Sequence, residues 1–380
     1  MDFDLTAAQR KRRDAIAEGV RTLSPGRLRA GPDDHFDRAD WARAAELGLT
    51  GLCLPVSHGG DGLGALDTAL CLEAFGEHCP DTGLAFGVAA HLLACGVPVA
   101  AFATPETRDQ LLPGMVDGTL IAANAMTEAG AGSDVGRLDT TATVDGEAYV
   151  VDGVKTFASN APLADVFVSY ATTDKRAGFL GISAFAVPRE LPGVAVGDPL
   201  PKMGLWGCPA GEVRFDACSV PERYRLGDEG QGSPVFQHSM RWERSCLPAI
   251  YLGLLERQLR QCTEHAGVRR QFGREIGKYQ AVSHRVARMR LRLEGARLLL
   301  YRACWLLDHE RHDETSIALS KTAVSEAAVA NSLDAVQIFG GAGYLCGGGI
   351  EAQLRDSIPA TLFSGTTEIQ SEIIAREAGL

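Results

Sequence analysis

The sequence of 380 residues predicts an α+β, multidomain chain: a helical N-terminal domain over residues 1–119, a middle β-barrel over 120–228 and a C-terminal four-helix bundle over 229–380. Three observations carry this. Ahead of Leu120, helix-like runs alternate with Gly and Pro breaks. From Leu120 to about Arg225, short β-branched and aromatic runs are separated by Gly- and Pro-rich turns, with no helical pattern between them. Such strands point to a barrel or small sandwich rather than a parallel α/β sheet. After Gly232, apolar residues again recur at steps of three and four.

Residues 5–24 have helical character and stop at Ser24-Pro25-Gly26, Trp41 to Leu49 predicts a second helix, and Gly59-Gly60-Asp61-Gly62 a loop. Ala65 to Glu77 and His91 to Ala103 read as helices, and Pro105 opens another. Thr82 to Pro105 carries no Asp, Glu, Lys or Arg, which raises the question of a membrane span. Its Gly and Ala content, Pro98, Pro105 and His91 fit helices buried in a large protein better, so no membrane partner is expected. Strands are expected over residues 139–144, 148–151, 166–170, 183–187 and 212–215, the first two joined by the Asp145-Gly146 turn. In the last part Val282, Val286, Met289, Leu293, Ala296, Leu300, Ala303 and Leu307 form a bundle seam. Arginines 285, 288, 290, 292, 297 and 302 lie off it, solvated or paired with acidic neighbours.

Composition narrows the function classes. A net charge of −11 argues against broad nucleic-acid affinity. Ten cysteines without CxxC pairs point to reduced thiols in a cytoplasm rather than a disulfide framework or zinc site. Lys11-Arg12-Arg13 is followed by a polar, amphipathic segment, not by the apolar core of a signal peptide. No His, Cys, Asp or Glu cluster has metal-ligand spacing, so no metal is expected.

The chemistry concentrates between Ala125 and Asn160. Ala-Met-Thr-Glu-Ala-Gly-Ala-Gly-Ser-Asp, Ala125 to Asp134, gathers hydroxyls and backbone N–H groups in a turn able to hold an anionic or amide-rich ligand. Lys-Thr-Phe-Ala-Ser-Asn, Lys155 to Asn160, follows on a strand. Gly130-Ala131-Gly132 alone is as compatible with an empty tight turn, and it is no dinucleotide fingerprint. Taken in order, the two segments resemble the acyl-CoA dehydrogenase family of flavoproteins. The resemblance implies FAD as cofactor, its isoalloxazine clasped by Ala125, Met126, Thr127, Gly132 and Ser133 on one segment and Phe157, Ala158 and Ser159 on the other. The family often has Trp and Thr where this chain has Phe157 and Ser159, which preserve the aromatic wall and the hydroxyl.

Further motifs stand in family order. Arg269-Arg-Gln-Phe-Gly273 with Gln280 resembles the segment that reaches a neighbouring subunit's FAD, giving Arg269, Gln271, Phe272 and Gln280 cofactor roles. Gln337-Ile-Phe-Gly-Gly341 resembles an adenosine and pyrophosphate contact through Gln337, Phe339, Gly340 and Gly341, and Gly365-Thr-Thr-Glu368 a final FAD turn through Thr366 and Glu368. A site drawn from two chains implies a homo-oligomer, a dimer or dimer of dimers.

The catalytic base departs from the commonest family pattern. Where many members carry Glu in an aromatic-Glu-Gly-Thr turn, this chain reads Phe363-Ser364-Gly365-Thr366, and serine cannot remove a carbon-bound proton unaided. Other members place the base on a helix just before an Arg, a position that reads Glu243-Arg244 here. Glu243 shares a helical face with Leu247, Tyr251 and Leu254, which would desolvate it and raise its pKa toward that of a working base. An ion pair with Arg241 or Arg244 is the structural alternative. Ser133, His91, Arg244, Ser364 and Gly365 are the expected substrate contacts, although His91 also reads as a buried structural histidine.

Gly64 to Leu70, Ala90 to Cys95, Trp242-Glu243, Tyr301 to Trp305 and Phe363 to Thr366 are similar to one subfamily, the prolyl carrier-protein dehydrogenases of pyrrole-forming metabolism. The resemblance implies oxidation of L-proline, held as a thioester on a peptidyl carrier protein, to a pyrrole-2-carboxyl thioester. Two other readings stay open: an acyl-CoA dehydrogenase for a short or branched acyl group, and a non-catalytic flavin-binding homologue, prompted by Ser364.

Overall fold

A computed structural model describes residues 4–23, 36–311 and 313–380. The expected stop at Ser24-Pro25-Gly26 lies outside them. Helix α1 (Ala7–Val20) opens with a capping box: the Thr6 hydroxyl accepts from Gln9 N–H, and the Gln9 side chain accepts from Thr6 N–H. Next come α2 (Arg38–Glu46), α3 (Ala65–His78), α4 (Thr82–Ala90), α5 (Val97–Phe102) and α6 (Pro105–Val116). The helix expected to begin at His91 begins instead at Thr82, because Asp81 accepts from Gly83 and Leu84 N–H and caps it there. A π-helical turn, His91–Gly96, joins α4 to α5 just ahead of Pro98. Proline has no N–H for the ladder, and the wider turn absorbs the break. The Thr82–Phe102 stretch is long and apolar enough to cross a membrane, but it is buried in the fold along most of its length.

The middle domain holds β1 (Ala122–Ala125), β2 (Thr141–Asp145), β3 (Ala148–Ser159), β4 (Val166–Thr172), β5 (Ile182–Pro188), β6 (Val194–Val196), β7 (Ala210–Pro221) and β8 (Arg225–Leu226). They form one sheet in the order β6-β7-β3-β2-β4-β5-β8, with β1 parallel beside β4. Its end strands β6 and β8 are not paired to each other. One edge of β4 is mostly taken by β1 and meets β2 only at Thr141–Thr172, so the sheet bends there into two halves. Alternation along β4 divides its residues between two cores. Val166, Val168 and Tyr170 join the core shared with the helices, whereas Phe167 and Ala171 join a second core with Phe185, Val213 and Phe215.

Four long helices build the C-terminal domain: α7 (Gly232–Cys246), α8 (Ala249–Val268), α9 (Gln280–Asp308) and α10 (Glu314–Phe339). A short hairpin, β9 (Arg270–Gln271) and β10 (Arg274–Glu275), separates α8 from α9, and α11 (Gly341–Tyr344), α12 (Ile350–Ser357) and α13 (Thr367–Glu377) close the chain. The α9 seam is as the spacing predicts: Met289, Leu293, Ala296, Leu300 and Ala303 are buried, with Val282, Val286 and Leu307 packed beside them. Off the seam, Arg285 and Arg292 meet Asp334, Arg290 meets Glu294, and Arg297 meets Glu73, Glu256 and Glu294. Helix α3 lies against α8 at backbone contact. A Cβ on Gly76 would stand 2.1 Å from the Ile250 carbonyl oxygen, and one on Gly253 2.2 Å from that of Glu73. The N-terminal domain thus seats directly on the bundle.

Candidate active site

Glu243 sits in the last turn of α7 and is 7% exposed. The uninterrupted helix expected through Tyr251 and Leu254 is broken at Pro248, so those residues belong to α8, yet both stay buried. The Ser364 hydroxyl donates to Glu243 Oε1, while Oε2 is buried without a hydrogen-bond partner among the described residues. Neither neighbouring arginine neutralises the carboxylate by contact. Arg241 pairs with Glu314 at 2.6 Å, and Arg244 Nε donates to the Ser364 carbonyl at 2.8 Å. Burial pushes the Glu243 pKa up, only partly opposed by the Ser364 hydrogen bond and the charges of Arg244 and Lys321. A carboxylate with one oriented oxygen and one free, and with a raised pKa, has the properties of a general base.

The turn facing it is held from several directions. Ser364 and Gly365 both have positive φ, +54° and +88°. Lys321 Nζ donates to the Gly365 carbonyl at 2.8 Å, and Gln370 Nε2 reaches the Ser364 and Gly365 carbonyls at 3.3 and 3.2 Å. At Gly365 an added Cβ would meet Gln370 Nε2 at 2.8 Å and Arg244 Nη2 at 3.2 Å, so a side chain would disturb the groups that hold the turn. Thr366 caps α13 by accepting from Ile369 N–H at 3.4 Å, with Glu368 exposed in its first turn. Sequence reasoning missed Lys321 and Gln370. The only signal for Lys321 is a long cation in an Ala- and Ser-rich helix; its burial lowers its pKa to about 8.

The segments at the centre of the resemblance come together on the sheet. Thr156 N–H donates to the Thr127 carbonyl at 2.8 Å. Beneath, Lys155 Nζ bonds Glu128 at 2.7 Å and the Met126 carbonyl at 3.3 Å, and Glu128 accepts from Asp139 and Thr140 N–H. Burial would raise the Glu128 carboxyl, but Lys155 and these N–H donors hold it below the ordinary range. A register shift between Lys155 and Ala158 turns the strand, and Phe157 stands out at φ +56°, 67% exposed. Ala125, Met126 and Ala158 are buried, Thr127 and Ser159 half-buried, and Gly132 and Ser133 exposed. Phe86 and Gly87 of α4 link this wall to the base. Phe86 packs on Phe363 with centroids 4.9 Å apart, and the Gly87 carbonyl accepts from Asn160 Nδ2 at 2.8 Å.

The other expected cofactor residues form a separate group. His265 stacks on Phe339 at 4.1 Å, bringing the last turn of α8 to the end of α10, the elements that lead into Arg269 and into Gly340 and Gly341. Phe272, beside Gln271 in the hairpin turn, is 94% exposed at φ +48°. Gln280 lines an open cavity of about 240 Å³ with His284, Arg285 and Arg288. A larger cavity, about 550 Å³ beside α1 and α3, lies among residues without a role in the chemistry at Glu243.

His91 is corrected. Its ring is fully buried, with Nε2 on the Met115 carbonyl at 2.9 Å and Nδ1 accepting from Ala122 N–H at 3.0 Å. Both nitrogens are spent on backbone and burial lowers the pKa to about 4, so His91 ties α4 to β1 as a neutral ring instead of touching substrate.

The arrangement fits a planar flavin. Phe157 offers an exposed aromatic face beside an open backbone cradle, since a Cβ on Gly132 would meet nothing within 4 Å. Gly340 and Gly341 are equally open. A buried carboxylate with a raised pKa, a hydroxyl-bearing strand and an open backbone cradle are the parts a flavin-dependent dehydrogenase requires.

Family models agree. The descriptions "Acyl-CoA dehydrogenase, N-terminal domain", "middle domain" and "C-terminal domain" match residues 6–119, 123–218 and 230–379. The chain belongs to the acyl-CoA dehydrogenase family. It is 53% identical to an L-prolyl-[peptidyl-carrier protein] dehydrogenase of Pseudomonas fluorescens, over the full length of both. It is 47% identical to a protein of the same name from a Serratia species, covering 90% of this chain and 88% of that one. The solved structure described as PigA with FAD and proline superposes with a TM-score of 0.97 at 42% identity, covering all of both chains.

Proposed function

We propose that the chain is an FAD-dependent dehydrogenase that oxidises an L-prolyl thioester, presented on the phosphopantetheine arm of a peptidyl carrier protein, to the pyrrole-2-carboxyl thioester. The observation that carries the reading is 53% identity, end to end, to a dehydrogenase named for that substrate, over a site whose base stands on α7.

The residues divide the work. Thioester conjugation acidifies the substrate Cα–H, and the free Oε2 of Glu243 takes the proton. Ser364 fixes the other carboxylate oxygen, and Arg244, Lys321 and Gln370 hold the turn that carries Ser364. Phe86 packs at a tilt against Phe363, the residue before Ser364, and adds an apolar wall beside the base. Bound FAD, held by Ala125 to Thr127, Gly132, Ser133 and Phe157 to Ser159, supplies the acceptor for the second hydrogen and the electron pair. Pyrrolidine becomes pyrrole by losing four hydrogens in two two-electron oxidations: the first takes the single Cα–H as a proton, and the second takes hydrogens from other ring carbons. An external acceptor takes the electron pair from the reduced cofactor after each. Arg269, Gln271, Phe272, Gln280 and the Gln337–Gly341 turn serve the FAD of a neighbouring subunit in a homo-oligomer.

Phosphopantetheine is common to CoA and carrier proteins, so discrimination rests on the surface around the tunnel mouth. The test compares prolyl-CoA with the prolyl-carrier substrate. Strong preference for the carrier form is expected, and comparable turnover would defeat that part of the reading.

A further inference from the structure

Two buried hydroxyls, those of Tyr170 and Ser239, lie on the elements beside Glu243. Tyr170 on β4 and Ser239 on α7 are both 0% exposed. Ser239 lies four residues before Glu243 and therefore on the same helical face. The Tyr170 hydroxyl faces the Ser239 hydroxyl, and both Cys95 and Glu243 lie within its electrostatic reach. The Tyr170 ring is fixed edge-on against Phe236 at 5.6 Å. The two hydroxyls are near enough to interact with each other, yet among the described residues Tyr170 Oη, Ser239 Oγ and Glu243 Oε2 are all buried with no partner in good hydrogen-bond geometry.

Leaving a buried polar atom unpaired is unfavourable, and an apolar residue at either position would avoid the cost. A straight acyl chain has nothing to offer these hydroxyls. A pyrrolidine ring differs from a carbocycle by one nitrogen, which can donate a proton to a hydroxyl oxygen or, when neutral, accept one from it. Hydroxyls do both.

We infer that Tyr170 and Ser239 form the subsite that recognises the ring nitrogen of the substrate, selecting a cyclic amine over its carbocyclic equivalent and turning its Cα–H toward Glu243 Oε2. The inference rests on the prolyl reading. Glu243 acts on carbon, and the hydroxyl pair acts on nitrogen. The specificity follows from the asymmetry of polar recognition: a site built to hydrogen-bond a group rejects the analogue lacking it far more strongly than an apolar pocket rejects an extra methylene.

The experiment measures kcat/KM for L-prolyl and cyclopentanecarbonyl thioesters of pantetheine, with wild type, Tyr170→Phe and Ser239→Ala loaded with FAD. Wild type is expected to favour the prolyl thioester, and each variant to shrink the ratio of the two kcat/KM values roughly tenfold, the scale of one lost hydrogen bond, more if the nitrogen is charged. A wild type that does not prefer the prolyl thioester, or variants that leave the ratio unchanged, overturn the subsite while prolyl oxidation stands. Absence of flavin reduction by any prolyl thioester, on pantetheine or on the carrier, removes the prolyl reading and the subsite with it. Because Tyr170→Phe deletes only an oxygen, retained FAD and thermal midpoint establish that the ratio reports recognition. Ser239→Ala tests the pair independently should the tyrosine variant not fold.

Discussion

The chemistry at Glu243 is set by what surrounds its two oxygens. Burial raises its pKa, so the rising limb of the kcat/KM profile is expected above the pH at which an exposed glutamate ionises. Lys321 works in the opposite direction, since its charge favours the carboxylate. Lys321→Met removes that charge, raises the Glu243 pKa further and moves the rising limb to higher pH. An unmoved limb with intact FAD would show that Lys321 holds only the turn. Ser364→Ala should shift the limb the same way while costing far less rate than loss of Glu243. Glu243 is named from the sequence because it precedes an arginine at a helix position where some family members carry the base, while the commoner position reads Ser364. Lys321, Gln370 and the pair Tyr170 and Ser239 are not, because their roles arise from contacts between elements distant in sequence. For His91 the sequence favours a buried structural histidine over a pocket residue, and the backbone partners of its two nitrogens decide for the first.

Among elements, the clamp between β3 and the segment after β1 matters most. Lys155 and Glu128 are buried at 0% and 5% side-chain exposure, so Lys155→Met leaves a buried carboxylate uncompensated. A loss of about 3–5 kcal/mol is expected, read as a lower thermal midpoint, with substantial recovery in the Lys155→Met, Glu128→Gln double variant. A single variant as stable as wild type would mean the pair is not structural. The α3–α8 contact is tested by Gly253→Ala, whose methyl would be driven into the Glu73 carbonyl. Overpacking there should cost about 1–3 kcal/mol or more. Strand and helix runs were legible because their apolar periods are regular. The parallel pairing of β1 with β4 was not, since which strand borders β4 is a long-range matter with no local signal. The start of α4 was missed although Asp81 is a capping residue, because the uncharged run drew attention to His91 and Pro98 instead.

For the whole molecule, the proposed function makes the sheet wall and the group at the ends of α8 and α10 two parts of a cofactor site completed between chains. Phe272, almost wholly exposed at the hairpin tip, is the residue to test. Phe272→Asp is expected to lower the oligomeric state by light scattering and to reduce FAD occupancy together; loss of neither would contradict a site shared between chains. The central claim is that Glu243 removes the α-proton of a carrier-bound prolyl thioester. Anaerobic stopped-flow of flavin bleaching tests it directly, comparing wild type with Glu243→Gln, which keeps the shape and removes the charge and the proton-accepting oxygen. With prolyl-carrier substrate, wild type should bleach, and Glu243→Gln, with FAD bound and fold intact, should do so slower by roughly a hundredfold to ten-thousandfold. Near-wild-type reduction by the variant would show that another group takes the proton.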